Sequence, residues 1–336
     1  MNRWMWILLL LVGFPLATNA APPPPQDDGC NENPFIVDTD ADVVRVANGY
    51  HCGNNKNTKV VIRKSVTATV PDLVIEAGDI EVTEATIQNM LPGSTILLRT
   101  HKGNITLNDA TILANQNVIL KCEHMGCAAL GMKKNQILAK YVLTWAMGSI
   151  WFEGTNVTAG VDAIFRTWHG LQFYKSNYNT MPMILAKNII MHTEGDVALG
   201  DWVFLKASNR IHLEGTKWSV WAQNSNLSAR VIEISGGMHI DLANTIARSK
   251  GRFAAYVGGM CASGMHCINA PGADIYAGGV IEMGTPKGQG TINLCRGKFK
   301  DAHPRVPRMN GADKLPYPAT VAYLSSQCGG SGAQID

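Results

Sequence analysis

Charge is scarce in this chain. Asp, Glu, Lys and Arg make up 16% of its 336 residues, against 46% hydrophobic residues. That balance speaks against a soluble helical protein and fits a sheet-rich exported one. The formal net charge is only +3, and no cluster of Lys or Arg interrupts the sequence, so no nucleic-acid partner is expected. Cysteines at Cys-x-x-Cys spacing are absent; no metal and no cofactor is expected. Beyond residue 20 no apolar run approaches the roughly 20 residues that cross a bilayer, so no membrane span is expected after signal cleavage. No sequence feature specifies an oligomer.

What is present begins with a secretory signal. Arg3 supplies the positive start, Trp6 to Leu16 the apolar core, and Thr18-Asn19-Ala20 the small-residue cleavage site. The expected address is the periplasm, the cell surface or the extracellular space. Behind such a signal, eight cysteines read as disulfides: Cys30, Cys52, Cys122, Cys127, Cys261, Cys267, Cys295 and Cys328. Proximity in the chain favours the pairs Cys30–Cys52, Cys122–Cys127, Cys261–Cys267 and Cys295–Cys328.

Glycine sets the organisation. Small residue, short Ile/Val-rich strand, glycine: this unit ends at Gly195, Gly215, Gly236, Gly258 and Gly279, every 20 to 22 residues. Such a period marks a stacked-repeat architecture, because no single unit buries its own apolar face. Partial alternation, as in Val231-Ile232-Glu233-Ile234, points to strands with one buried face. An earlier pair of units matches closely: Gly78-Asp79-Ile80-Glu81-Val82-Thr83-Glu84-Ala85-Thr86-Ile87 and, 25 residues on, Gly103-Asn104-Ile105-Thr106-Leu107-Asn108-Asp109-Ala110-Thr111-Ile112.

The pattern Gly-x-Ile-x-Leu-x-x-Ala-x-Ile, followed by Ala-x-Asn-x-Ile-x-Leu, resembles the right-handed β-helix repeats of filamentous-haemagglutinin-type bacterial adhesins over roughly residues 78–295. The resemblance implies an all-β, single-stranded right-handed parallel β-helix with capped ends. It also implies an adhesin-like role. The expected layout is a signal peptide (1–20), a proline-rich leader and N-terminal cap (21–75), a β-helix of nine or ten coils (76–295), and a C-terminal cap and tail (296–336). Helix formers at 123–147 suggest an excursion of one or two helical turns, and residues 162–182 look irregular. Asp38, Asp40 and Asp42 lack the glycine and glutamate of a calcium loop and read as a solvated turn. Asn104, Asn156 and Asn226 begin glycosylation-type triplets.

Six tryptophans fall between residues 145 and 221, and flat rings in a row are what sugar faces stack on. Trp145, Trp151, Trp168, Tyr174, Tyr178, Trp218 and Trp221 are the candidate ligand-binding residues; Trp202 reads as core. For catalysis the candidates are Glu194 and Glu214, each before a glycine and one coil apart, with Glu153 two coils earlier than Glu194, and a second group of Asp162, Arg166 and His169. A glycoside hydrolase needs two carboxylates about 5–10 Å apart. Polygalacturonase-like signatures are absent, and His169-Gly170 stands alone. His192 and His212 look like matching positions in successive coils. The leading expectation is therefore a non-catalytic, adhesin-like solenoid that offers a rigid face to a glycan or cell-surface protein. The alternatives are a polysaccharide lyase or glycoside hydrolase of the β-helix class, and a purely structural envelope protein.

Overall fold

Alternation dictates the architecture. In strand after strand, odd and even residues divide into buried and half-exposed sets, as in Thr95–Thr100 and Asn117–Cys122. Such a strand buries one face only by stacking on a copy of itself. The computed structural model describes residues 32–52, 58–176, 180–259, 261, 266–285, 292–301 and 334–335. It is a right-handed parallel β-helix of about 11 turns, the hand that parallel crossovers take. Among the described residues no helix is long and apolar enough to cross a membrane.

Each coil presents up to three strands, which define three faces. Among the described residues the first face is a parallel sheet of twelve strands, from Phe35–Val37 to Ile292–Asn293. These strands open coils 1 to 12. The second and third faces form one continuous sheet, of 19 strands among the described residues, because in coils 5 to 8 a single long strand (Gln136–Ala146, Asn156–Thr167, Met183–Thr193, Phe204–Gly215) turns the corner between them. One core column of the first face runs unbroken through Val60, Ile80, Ile105, Ala129, Ile150, Leu171, Val197, Val220, Ile240, Ile268 and Ile292. The core is thus a rod rather than a ball. Its widest filling is a trio of fully buried rings, Phe152, Phe165 and Phe173, in edge-to-face contact at 5.1–6.3 Å.

The corner between the second and third faces alternates in length. Two residues fill it in coils 4, 6, 8 and 10 (Asn115-Gln116, Gly160-Val161, Ser208-Asn209, Lys250-Gly251). One residue fills it in coils 5, 7 and 9 (Lys140, Lys187, Arg230). Coil 11 again has two, Gly278-Gly279. The extra residue bulges and leaves the flanking ladders paired.

Several expectations need correction. The stacked core begins at Phe35, well before residue 76: strands Phe35–Val37, Lys59–Ile62 and Asp72–Ala77 already belong to the ladder. Residues 123–147 hold strands Ala128–Met132 and Gln136–Ala146, not a helical excursion. There the period-2 burial of Tyr141-Val142-Leu143-Thr144-Trp145-Ala146 overrides helix propensity. The stretch 162–182 is strand through Thr167 and again over Gly170–Tyr174. The Asp38–Asp42 segment starts α1 (Asp40–Ala47): Thr39 and Asp42 exchange a capping box. This helix stands where coil 1 lacks a second strand, against Val66–Thr67 of coil 2. At the other end Lys298–Asp301 is still ladder, and Gln334–Ile335 pairs with it.

Cys261 and Cys267 are bonded, with Cα atoms 5.3 Å apart. Cys52 and Cys295 are disulfide-bonded too, while their expected partners, Cys30 and Cys328, lie outside the described residues. Cys122 and Cys127 are not bonded. Both are buried free thiols, each the other's hydrogen-bond partner.

Candidate functional site

The outward column of the first face reads Leu130, Trp151, Gln172, Ala198, Trp221, Asp241, Asn269, Asn293 from coil 5 to coil 12. Two residues further along the strands, Tyr174 lies beside Glu153. Ala198 is the smallest side chain between two large ones, Gln172 and Trp221. The depression over it is a groove of about 340 Å³ lined by Gln172, Tyr174, Asp196, Ala198, Leu199, Gly200, Asp201, Trp221 and Gln223. Trp151, 49% exposed, meets Tyr174 edge-on at 6.3 Å on one side. On the other side Trp221 leans on His239 at 4.9 Å. Gly200 is required here: a Cβ at that position would run into the Tyr174 ring.

The polar rim is held in place. Asp196 accepts the Ser219 N–H (2.9 Å), and Asp201 accepts an amide proton from Asn224 (2.6 Å). Asp241 accepts from Gln223 Nε2 (2.7 Å), Asn269 Nδ2 (3.2 Å) and the Ala243 N–H (2.9 Å). Burial pushes the Asp241 carboxyl up. Its bonds to His239, Ala243, Gln223 and Asn269 outweigh that and hold it low. Burial, then the nearby Asp196 carboxylate, pushes the Tyr174 phenol up, so it stays a neutral donor. The groove therefore offers aromatic faces, amide groups and fixed carboxylate acceptors along a rigid floor.

The aromatic row foreseen between Trp145 and Trp221 divides. Trp151, Tyr174 and Trp221 share the first face. Trp145 is on the third face, in a column of Arg99, Lys121, Arg166, His192 and Glu214, with the Lys121 ammonium 5.6 Å from its ring. Trp168 and Trp218 are exposed at corners leading into the first face, and Tyr178 lies outside the described residues. Trp202 is not core: it sits at a corner with φ +65° and is 54% exposed.

The catalytic candidates do not converge. Glu214 is level with His192 rather than with Glu194. Glu194 turns to the Lys217 ammonium at the next corner. Asp162 accepts from Asn188 Nδ2 (2.7 Å), and Arg166 stands two outward columns away on the same face. His169 is at the corner beyond. Glu153, on the first face, is beside Tyr174 and remote from Glu214 on the third.

His192 and His212 are not level either. The two-residue corner of coil 8 shifts the third strand, so His192 pairs with Glu214 and His212 with Glu233. Both imidazoles still reach Glu214, at 2.9 and 3.3 Å. The resulting clusters were not foreseen: His192–Glu214–His212, and in coils 1 to 4 His51, Glu76, Arg99, His101 and Glu123. Hydrogen bonds from His51, opposed by burial and reinforced by His101 and Arg99, hold Glu76 down to about 2. His192 and His212 hold Glu214 far below the usual carboxylate range. Among the described residues no group of three or more His, Cys, Asp or Glu is arranged to hold a metal ion. The Asn side chains of two glycosylation-type triplets serve as ladder acceptors, Asn104 for Ala128 N–H (2.7 Å) and Asn156 for Met183 N–H (3.0 Å).

The fold defines the class, a parallel β-helix. No protein family, curated protein or solved structure matches the chain.

Proposed function

We propose that this protein is an exported, non-catalytic β-solenoid that holds a glycan in the groove between Tyr174 and Trp221 on its first face. One observation carries the reading. Three aromatic rings from coils 6, 7 and 9 flank a shallow, open trough whose rim is amide and carboxylate, the chemistry that stacks on and hydrogen-bonds to a sugar. The trough is rigid because each ring stands on a paired strand, so little ordering entropy is lost on binding. The separation of Glu194 from Glu214 supports binding over cleavage.

The test is a glycan-array screen of the oxidised chain from residue 21 onward, with product analysis of every hit. Trp221→Ala should weaken retention by about thirtyfold, near 2 kcal/mol for loss of a central ring. Trp168→Ala, at the corner, should leave it unchanged. Cleaved product would establish an enzyme instead, and equal losses for both variants would move the site off this face.

A further inference from the structure

The second face of coils 7 to 12 is a mixed array of cations and bare apolar side chains. Its middle outward column runs Leu185, Lys206, Ser228, Arg248, Tyr276, Lys300. Beside it, the corner column holds Lys187, Arg230 and Lys250. All six cations are exposed. Arg248 pairs with Asp274; among the described residues the other five have no carboxylate partner. Lys206, Arg230 and Lys250 surround a shallow groove of about 410 Å³ floored by Leu185, Ala186, Ala207 and Ala229. Out of the same face stand Met183 (40% exposed), Ile246 (41%) and Tyr276 (39%).

No two of these cations are closer than two residues in sequence, so no basic run exists to be read. Stacking assembles them: at about 4.8 Å per coil they cover roughly 24 Å of a flat sheet. Two target chemistries fit positive charge. A linear polyanion would follow one file of cations and gain little from exposed Met and Ile side chains. A planar anionic surface would meet a two-dimensional array, and apolar side chains set among the cations would reach the boundary between headgroups and acyl chains. The observed face has the second pattern.

We propose that this face docks the protein on an anionic phospholipid bilayer, with Lys187, Lys206, Arg230 and Lys250 on lipid phosphates and Met183, Ile246 and Tyr276 at the headgroup–acyl boundary. The site is on a different face from the glycan groove and does not depend on it.

Co-sedimentation of the chain from residue 21 onward, which keeps every described core residue, tests this. Vesicles of mixed phosphatidylcholine and phosphatidylglycerol should retain the protein at low salt; pure phosphatidylcholine should not. Joint replacement Lys206→Glu, Arg230→Glu, Lys250→Glu should lower partitioning by about a hundredfold, the size expected for three basic residues leaving an anionic surface. The pair Ile246→Ser and Tyr276→Ser should lower it several-fold at unchanged charge. Should the Glu set melt early, the corresponding Gln set serves. Equal binding to both vesicle types, indifference to the charge changes, or no vesicle binding would each overturn the proposal. So would retention on an immobilised acidic polysaccharide that the same cations control while vesicles are ignored.

Discussion

Cys122 and Cys127 are five residues apart and read from the chain as a disulfide. In the structure Cys122 ends a third-face strand, level with Thr100 and Ala146, and points inward, as Cys127 does after the turn. The Cys122 thiol donates to the Cys127 sulfur. That bond, with help from neighbouring backbone groups and against burial, brings Cys127 down to about 7; the same pairing and burial push Cys122 up. Denaturation without reductant should therefore release two titratable thiols per chain, both mapped to these residues by alkylation and peptide analysis. None would mean that the pair is oxidised. The carboxylates of the third face make a pH prediction. Glu76 and Glu214 have folded-state values below the ordinary 4.5. A depressed carboxylate stabilises the fold above its unfolded value and loses that contribution as pH falls through the folded one. Thermal stability should thus decline as pH drops from about 4.5 towards 2, and Glu76→Gln should flatten part of that slope in a melting series.

At the scale of the strand, much was legible. The matched units Gly78–Ile87 and Gly103–Ile112 stack as their alignment implies, Ile80 on Ile105 and Ile87 on Ile112. Their 25-residue offset is the ladder offset itself. Residues 123–147 misled because Ala128, Leu130, Lys133 and Lys134 favour helix locally, while only neighbouring coils reward the alternation. The glycine period located the coils but not their register. Counting 20 residues from His192 reaches His212, whereas the strands before the corner are already offset by 21 (Ala186 on Ala207) and the two-residue corner of coil 8 adds one more, which delivers Glu214. The cationic second face was hidden for the same reason. The corners of coils 10 and 11 show that two successive two-residue corners are compatible with the fold. One glycine inserted after Lys187 would put three such corners in a row, in coils 6 to 8, and should still cost only about 0.6 kcal/mol, the price of doubling a loop. One glycine inserted between Ile189 and Ile190 would move every later side chain of that strand to the wrong face and should abolish cooperative unfolding. Urea titration separates the two outcomes.

Over the whole molecule, each coil touches chiefly the coils before and after it, and stability accumulates from those interfaces. The aromatic groove and the basic sheet occupy two sides of one rod, so a bilayer beneath the second face would leave the first face pointing away from it. The groove itself owes its place to depth in the ladder: Trp151 and Trp221 stand three coils apart on the same outward column. The alternating corners carry a further consequence. In a globular domain an added residue is felt by everything packed around it. Here each corner works as an expansion joint, taking up a change in chain length where it arises and passing the next coil on in phase. Drift in sequence length can thus collect along one edge of the rod while the faces that meet other molecules stay in step.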